Sequence, residues 1–183
     1  MPRVGVIGPT DVALIESVVS LPAGTLEGAA RRFGAFLAKH AFGLVCVPDR
    51  GVALWTLESY RKAGGAQSVA LSPVGADTLD DPRDETLKHI HLAHNVRRDM
   101  NWDEAPAELV RECDCFVCLG LSCGTMVELA WTKWIKHFPV FVVQSYISTI
   151  PIELVSELDI RYAQTLDDVE DVVYQFCVGE RSL

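Results

Sequence analysis

The sequence predicts an α/β fold in which a doubly wound, mostly parallel β-sheet carries helices on both faces. Three observations support this class. Short apolar runs alternate with amphipathic segments along the chain, which is the pattern of strands connected by crossover helices. The runs are continuously apolar, as expected for strands buried on both faces of a sheet. Hydrophobic residues make up 49% of the chain, and a sheet covered on both sides accounts for this high fraction.

Length and charge narrow the possible functions. The 183 residues show no internal repeat and no linker-like stretch, so we expect one domain spanning residues 1–183. No apolar run reaches the length of a membrane span and no signal peptide is visible, which predicts a cytoplasmic protein without a membrane partner. The formal net charge is −9. This charge argues against a nucleic-acid partner, but it allows a phosphate bound by local N–H groups and one or two arginines.

The cysteine and histidine residues are not expected to bind a metal. Without a secretion signal, the six cysteines should be reduced. In the run Cys113-x-Cys115-x-x-Cys118, the first two side chains share one face of a strand and the third lies on the other. His89 and His91 would share a face of a short strand, but no third ligand follows at a suitable spacing. We therefore predict neither a metal site nor a bound cofactor.

Two loops in the first half of the chain are candidates for ligand binding. A strand over residues 3–8 ends in Gly8-Pro9-Thr10, and the loop after the first strand of a doubly wound sheet contacts the ligand; a plain turn is the alternative. A second strand over 44–47 is followed by Pro48-Asp49-Arg50-Gly51. These charged residues lie at the carboxyl end of a strand, where α/β sheets place ligands. A solvated turn is the alternative there.

The other elements follow from hydrophobic periodicity and from helix boundary residues. Thr25 is expected to cap the helix that ends before Gly43, and Thr165 is expected to cap the last helix. Residues 11–21 are compatible with a short helix or with a loop, and a loop rich in Asp, Gly and Pro is expected over 74–85. The remaining helices are expected over 52–63, 106–112, 125–137 and 151–157, and the remaining strands over 67–73, 88–94, 115–119, 139–143 and 159–163.

The segment from Asp114 to Glu128 carries the strongest functional signal. Its apolar run ends at Gly120, and Ser122-Cys123-Gly124 forms a small-residue turn before a helix that begins near Thr125. A buried strand, a small-residue turn and a helix aim free backbone N–H groups at an anion. Glu128 lies about one turn past Gly124 and faces whatever the turn holds. The helix dipole should stabilise its ionised form.

This segment resembles the Gly-Gly-x-Gly-Thr-x-x-Glu signature of the LOG-type, lysine decarboxylase-like proteins of the SLOG superfamily, whose domains are Rossmann-like and handle nucleotides. It is also similar to the Gly-Thr-x-x-Glu segment of nucleoside 2-deoxyribosyltransferases. Gly124, Thr125 and Glu128 match, whereas Ser122 and Cys123 stand where the LOG pattern has a glycine and a variable residue. The resemblance implies that residues 122–125 hold a phosphate or sugar. It also implies that Glu128 acts at the ribose during cleavage of an N-glycosidic bond.

LOG-type proteins also carry an Arg-Lys-x-x-Met motif on a helix before the central strand. Arg97 and Arg98 resemble its first two positions, although Met100 comes early. By this resemblance Arg97 would bind the ribose phosphate and Arg98 would orient the reacting bond, with Arg111 as an alternative closer to the central strand. The glycine-rich turn that these proteins have after the second strand is reduced here to Gly51.

These features predict a protein that binds a nucleotide or nucleoside phosphate. Hydrolysis of an N-glycosidic bond is the leading hypothesis, with Glu128 stabilising the cationic sugar or acting as nucleophile and water as acceptor. The alternatives are a non-catalytic carrier or sensor, like the molybdenum cofactor carrier proteins that share this fold family, and a deoxyribosyltransferase-like enzyme.

A homodimer or larger homo-oligomer is expected. Related SLOG proteins usually pair, and the surplus of apolar residues, with Trp131 and Trp134 on one helix, leaves a surface to bury. On the helix after the turn, Met126, Leu129, Ala130 and Trp134 are expected to face the core. Core packing is also the expectation for Trp131, with an interface as its alternative.

Overall fold

A computed structural model describes residues 1–74 and 85–179; residues 75–84 and 180–183 lie outside the described part. Most of the loop expected over 74–85 therefore falls outside it. Within the described part, the sheet contains seven strands in the order β4-β3-β2-β1-β5-β6-β7. All of these neighbours pair in parallel, so the predicted α/β sheet is confirmed. The strands are β1 Arg3–Ile7, β2 Gly43–Cys46, β3 Ser68–Leu71, β4 Asn95–Arg97, β5 Cys115–Cys118, β6 Val140–Val143 and β7 Ile160–Ala163.

Helices cover both faces of the sheet. The helices are α1 Val12–Val18, α2 Thr25–Lys39, α3 Gly51–Lys62, α4 Glu85–His89, α5 Ala105–Glu112, α6 Cys123–Trp134, α7 Ile152–Glu157 and α8 Leu166–Gly179. On one face, α2, α3 and α8 bury a cluster that includes Phe33, Leu57 and Val173. On the other face, α5, α6 and α7 pack over a cluster that includes Leu109, Phe116 and Leu129. This double cover explains why β1, β2, β5 and β6 are almost entirely buried.

The strand predicted over residues 88–94 is wrong. The segment consists of α4 and a 3₁₀ helix, Ile90–Leu92, and the strand β4 begins only at Asn95. A short segment in which apolar residues alternate with histidines fits either type of structure by pattern alone. A contact with the sheet stabilises the helix: the buried hydroxyl of Thr86 lies 2.9 Å from that of Ser72, just after β3. The strand face that His89 and His91 were expected to share does not form.

The start of α2 also differs from the prediction. Thr25 is the first helical residue, and its hydroxyl donates to the carbonyl of Pro22 (2.7 Å) instead of capping the helix. The cap comes from Glu16 of α1, whose buried carboxylate accepts from the N–H groups of Gly24 (3.0 Å) and Leu26 (2.8 Å). An acceptor from a neighbouring helix thus satisfies the donors that a local hydroxyl was expected to satisfy.

Two other helix predictions have opposite outcomes. The cap at Thr165 is confirmed: its hydroxyl accepts from the N–H of Asp168 (3.2 Å), and that carboxylate accepts from the N–H of Thr165 (2.9 Å). The expectation that Trp134 faces the core is wrong, because its side chain is 72% exposed. The buried positions of α6 are Thr125, Leu129 and Thr132. They recur every three to four residues, and this stripe turns Trp134 outward.

The loop after β1 is packed tightly between neighbouring elements. Gly8 leaves no room for a side chain, because a Cβ atom there would lie 2.7 Å from the carbonyl oxygen of Leu119 and from Val52. Gly51 has φ +62°, and a Cβ atom on it would lie 2.4 Å from the carbonyl oxygen of Pro9. The same carbonyl accepts from the N–H of Val52 (3.3 Å). These contacts fix the β1 loop against the start of α3 at the carboxyl edge of the sheet.

This packing predicts different costs for two glycine substitutions. Gly51→Ala should lower the free energy of unfolding by at least about 3 kcal/mol, since it combines a strained φ with a backbone clash. Gly64→Ala is the matched control: Gly64 has φ +81° but no atom within 4 Å of its Cβ position, so only about 1 kcal/mol of strain is expected. Urea unfolding followed by tryptophan fluorescence measures both. Equal losses would show that the contact with Pro9 contributes nothing.

Candidate functional site

A pocket of about 420 Å³ opens at the carboxyl edge of the sheet. Its lining comes from four places: the end of β1 with the loop that follows it, the segment from β2 into α3, the start of α5 with the residues before it, and the start of α6. The lining residues are Val6, Ile7, Gly8, Thr10, Val47, Asp49, Ala53, Trp102, Ala105, Pro106, Ser122, Cys123, Gly124, Thr125, Val127 and Glu128. The crossovers from β1 to β2 and from β5 to β6 run over opposite faces of the sheet, which opens a crevice between β1 and β5. Doubly wound folds bind ligands at this position.

The first turn of α6 presents free hydrogen-bond donors to the pocket. Ser122 caps the helix, and its hydroxyl accepts from the N–H of Thr125 (3.2 Å) and lies 2.9 Å from the Thr125 hydroxyl. The N–H groups of Cys123 and Gly124 have no acceptor among the described residues. Gly124 has only the Ser122 hydroxyl near its Cβ position, at 3.9 Å, so the space above it is open. A helix of 12 residues therefore directs its positive end into the pocket.

Glu128 lines the same pocket, one turn further along α6. Its carboxyl group makes no hydrogen bond or ion pair with the described residues. Burial raises the pKa of Glu128 to about 8. The neutral carboxylic acid is therefore the main form at pH 7, and the ionised form expected from the sequence is the minor one. Burial outweighs the helix dipole at this position.

Two polar atoms in the pocket wall are buried without a partner. Oδ1 of Asp49 and Nε1 of Trp102 have no hydrogen-bond partner among the described residues, and both residues line the pocket. The second oxygen of Asp49 lies 3.9 Å from Nε of Arg50, beyond hydrogen-bonding distance. Burial raises the pKa of Asp49, and Arg50 partly opposes this shift. A buried acceptor and a buried donor without partners are expected to receive them from a ligand.

The structure brings most of the predicted site residues together. The pocket is lined by Gly8, Thr10, Asp49, Ser122, Cys123, Gly124, Thr125 and Glu128. Pro9, Arg50 and Gly51 are not part of the lining. Pro9 is buried within the β1 loop, Arg50 is exposed at the N-cap of α3, and Gly51 contacts the β1 loop. Sequence reasoning did not identify Trp102, because no motif connects an aromatic residue ahead of α5 to this pocket.

The predicted arginines lie outside the pocket lining. Arg97 is held by Asp99 (2.9 Å), Glu108 (2.9 Å) and Glu112 (2.8 Å). Arg111 also pairs with Glu108, and Arg98 is exposed. Among the described residues that line the pocket there is no Arg, Lys or His. In the same part of the chain, no three or more His, Cys, Asp or Glu side chains are grouped so as to hold a metal ion.

Comparison with known families agrees with this architecture. A family model described as the SLOG cluster4 family matches residues 1–173. The chain belongs to this family. The predicted SLOG membership is thereby confirmed. No curated protein matches the chain in sequence.

Solved structures show the same fold at low sequence identity. The molybdenum cofactor carrier protein of Chlamydomonas reinhardtii is 19% identical, with 97% of this chain and 98% of that chain covered and a TM-score of 0.71. The molybdenum cofactor binding protein of Rippkaea orientalis is 14% identical, with coverages of 96% and 97% and a TM-score of 0.67. DNA processing protein A of Helicobacter pylori, which binds single-stranded DNA, is 14% identical, with coverages of 95% and 80% and a TM-score of 0.64.

No helix in the described part of the chain is both long and apolar enough to cross a membrane.

The raised pKa of Glu128 predicts how stability depends on pH. The folded protein retains a proton that the unfolded chain releases near the ordinary pKa of 4.5, so its unfolding free energy should fall as pH rises from 4.5 to about 8. Glu128→Gln removes this loss, and its advantage over wild type should grow by up to roughly 4 kcal/mol between pH 4.5 and pH 8. Denaturant unfolding at several pH values measures the difference. Glu153→Gln on exposed α7 is the control, and parallel pH curves for Glu128→Gln and wild type would contradict the prediction.

Proposed function

We propose that this protein binds a small phosphate-bearing ligand of nucleotide or molybdenum-cofactor type and holds it without converting it, as a carrier or sensor. The observation that carries the proposal is the open first turn of α6, whose free N–H groups at Cys123 and Gly124 face a pocket without a cationic side chain among its described residues. The binding unit is the single domain expected from the sequence, and we place it in the cytoplasm.

The electrostatics of the pocket favour an anion at α6. Two free backbone donors and the helix dipole attract a phosphate, and the hydroxyls of Ser122 and Thr125 lie next to them. An ionised Glu128 would repel the same phosphate. Because burial raises the pKa of this carboxyl to about 8, the residue is neutral at pH 7 and has an O–H group to donate. The site is therefore compatible with an anion despite the chain's net charge of −9.

The structural neighbours support a carrier more than an enzyme. Proteins named for carrying or binding the molybdenum cofactor share the fold over nearly their whole length. The DNA-binding neighbour also shares it, but the acidic charge of this chain and the absence of basic side chains in the described pocket lining disfavour a nucleic-acid partner. A small anionic ligand fits both the charge and the size of the pocket.

Hydrolysis of an N-glycosidic bond is the second candidate function. It is favoured by the position of Glu128, inside the pocket and one turn from Gly124. A carboxylate at this position would stabilise a cationic sugar. Two features disfavour it: the carboxyl group is mainly neutral at pH 7, and the arginines expected to orient the reacting bond lie outside the described pocket lining. A deoxyribosyltransferase-like reaction would need the same ionised Glu128.

Binding is tested with a substitution that repels an anion and spares the fold. Gly124→Asp places a carboxylate in the first turn of α6, where the helix dipole tolerates it, and it should weaken binding of GMP and AMP at least about 10-fold by isothermal titration calorimetry. Gly124→Asn has the same shape without the charge and should weaken binding much less. Equal affinities in all three proteins would contradict a phosphate at α6.

The same samples distinguish a carrier from a hydrolase. Chromatography of wild-type protein incubated with each nucleotide should show no free base after hours. Base release that disappears in Glu128→Gln, while binding persists, would establish the second candidate function instead.

We also propose that the protein is a homodimer. Val127, Ala130, Trp131 and Trp134 line a groove of about 250 Å³ on the outer face of α6. Val127 is 45% exposed and Trp134 is 72% exposed, which is unusual for large apolar side chains on one helix. Val127 borders both this groove and the ligand pocket. A second copy that covers the groove would therefore lie next to the ligand.

Light scattering tests this assembly. The mass at micromolar concentration should be twice the 20.1 kDa of one chain. Trp134→Glu places a charge in the groove and should give a monomer, because a buried unpaired charge destabilises an interface. Val18→Glu, at a position 66% exposed on α1, should leave the dimer intact. A monomeric wild-type protein would contradict the proposal.

A further inference from the structure

The end of β2 holds a carboxylate that has no hydrogen bond among the described residues. Oδ1 of Asp49 is buried without a partner, while Oδ2 reaches only Arg50, at 3.9 Å. The side chain of Asp49 is 18% exposed, whereas that of Arg50 is 66% exposed. This exposed ion pair involves Oδ2 only, so it leaves Oδ1 without a hydrogen bond. A ligand in the pocket has two acceptor oxygens available at this position.

The strand order determines which part of a ligand reaches Asp49. β1 lies between β5, which leads into α6, and β2, which leads to Asp49. Since neighbouring strands are about 4.8 Å apart, the two strand ends are separated by roughly 10 Å. In a nucleotide the ring edge lies farthest from the phosphate, and the sugar hydroxyls lie midway. A ligand whose phosphate binds at α6 therefore places its ring, rather than its sugar, at Asp49.

The hydrogen-bonding groups of the pocket wall restrict which rings can bind there. Two carboxylate oxygens fit a ring that presents an N–H and an NH₂ group side by side, because both donors then form parallel, charge-assisted bonds. The indole N–H of Trp102 is buried without a partner in the same pocket and requires an acceptor. A 2-amino-4-oxopyrimidine ring carries the two donors next to a carbonyl oxygen. Adenine presents only one amino group at such an edge, and hypoxanthine has no amino group.

We propose that Asp49 selects ligands with a 2-amino-4-oxopyrimidine ring, the ring of guanine and of pterins, by accepting from its N–H and NH₂ groups. Trp102 donates to the carbonyl oxygen or a ring nitrogen of the same ring. This inference rests on the proposed function, because the ring reaches Asp49 only when the phosphate lies at α6. It adds a specificity-determining residue and a ligand class to that function.

A ligand series measures the selectivity. Dissociation constants from calorimetry are compared for GMP, IMP, AMP, XMP and 6-hydroxymethylpterin monophosphate. Wild type should bind GMP roughly 10- to 100-fold more tightly than IMP, since only the 2-amino group differs. The pterin phosphate tests the second source of the same ring: tighter binding than GMP identifies a pterin ligand, and weaker binding identifies a guanine nucleotide. AMP should bind no better than IMP.

Asp49→Asn should reverse the preference between GMP and XMP. The amide still accepts from the ring N–H, but its NH₂ group faces the ligand's amino group, so GMP binding should weaken roughly 10- to 100-fold. The same NH₂ group donates to the 2-oxo group of xanthine, so XMP should bind the variant more tightly than GMP does. Damage to the fold lowers all affinities together and cannot produce this reversal. Asp171→Asn on the exposed side of α8 should keep the wild-type order.

The outcomes separate this inference from the proposed function. Equal binding of GMP, IMP and AMP, all weakened by Gly124→Asp, would overturn ring selection and leave the phosphate site established. A preference for AMP, or an Asp49→Asn protein that keeps the wild-type order, would also overturn it. Failure of all five ligands to bind wild type would overturn both proposals.

Discussion

The parallel pairing of β1 between β2 and β5 is the constraint on which the site depends. The chain crosses one face of the sheet to reach β2 and the opposite face between β5 and β6, so the helices that begin beside β1 diverge. The space between them forms a crevice bordered by the β1 loop, the residues after β2 and the first turn of α6. Tight packing at Gly8 holds this loop in place. The position of the pocket therefore follows from strand order.

The composition of the pocket is unusual for an anion site. Its described lining contains backbone N–H groups, hydroxyls and one indole but no cationic side chain, and its two carboxyl groups carry raised pKa values. Arginine is present nearby but unavailable: the carboxylates around Arg97 tie the edge strand β4 to α5. Backbone N–H groups in a helix are already fixed, so they lose no side-chain entropy when a ligand binds. A flexible arginine loses side-chain entropy when a ligand orders it.

Most of the strands could be predicted from the sequence, because continuous apolar runs are a local feature. The turn at 122–124 is also local, and it predicted that a helix begins there and lines a pocket. The strand predicted over 88–94 was wrong because a short alternating run does not distinguish helix from strand until its packing partner, Ser72, is known. The outward position of Trp134 depends on which stripe of α6 the sheet buries.

Non-local contacts account for the rest. Two of these contacts join residues that are separate in sequence: the capping of α2 by Glu16 and the ion pair of Arg97 with Glu112. The unpartnered N–H of Trp102 depends on burial, which the sequence does not show. The raised pKa of Glu128 belongs to this group as well, since the helix dipole argument available from the sequence contains no desolvation cost.

The carboxylate of Glu16 at the start of α2 has a consequence for the ligand. α2 also begins at the carboxyl edge of the sheet, and Leu26 in its first turn lies beside Gly120, just ahead of α6. The N–H groups of Gly24 and Leu26 at the start of α2 already donate to Glu16 and are not free to bind a phosphate. The Glu16 carboxylate thus occupies the position that an anion would otherwise take at α2. At this edge of the sheet, the free N–H donors at Cys123 and Gly124 of α6 have no counterpart at Gly24 and Leu26 of α2.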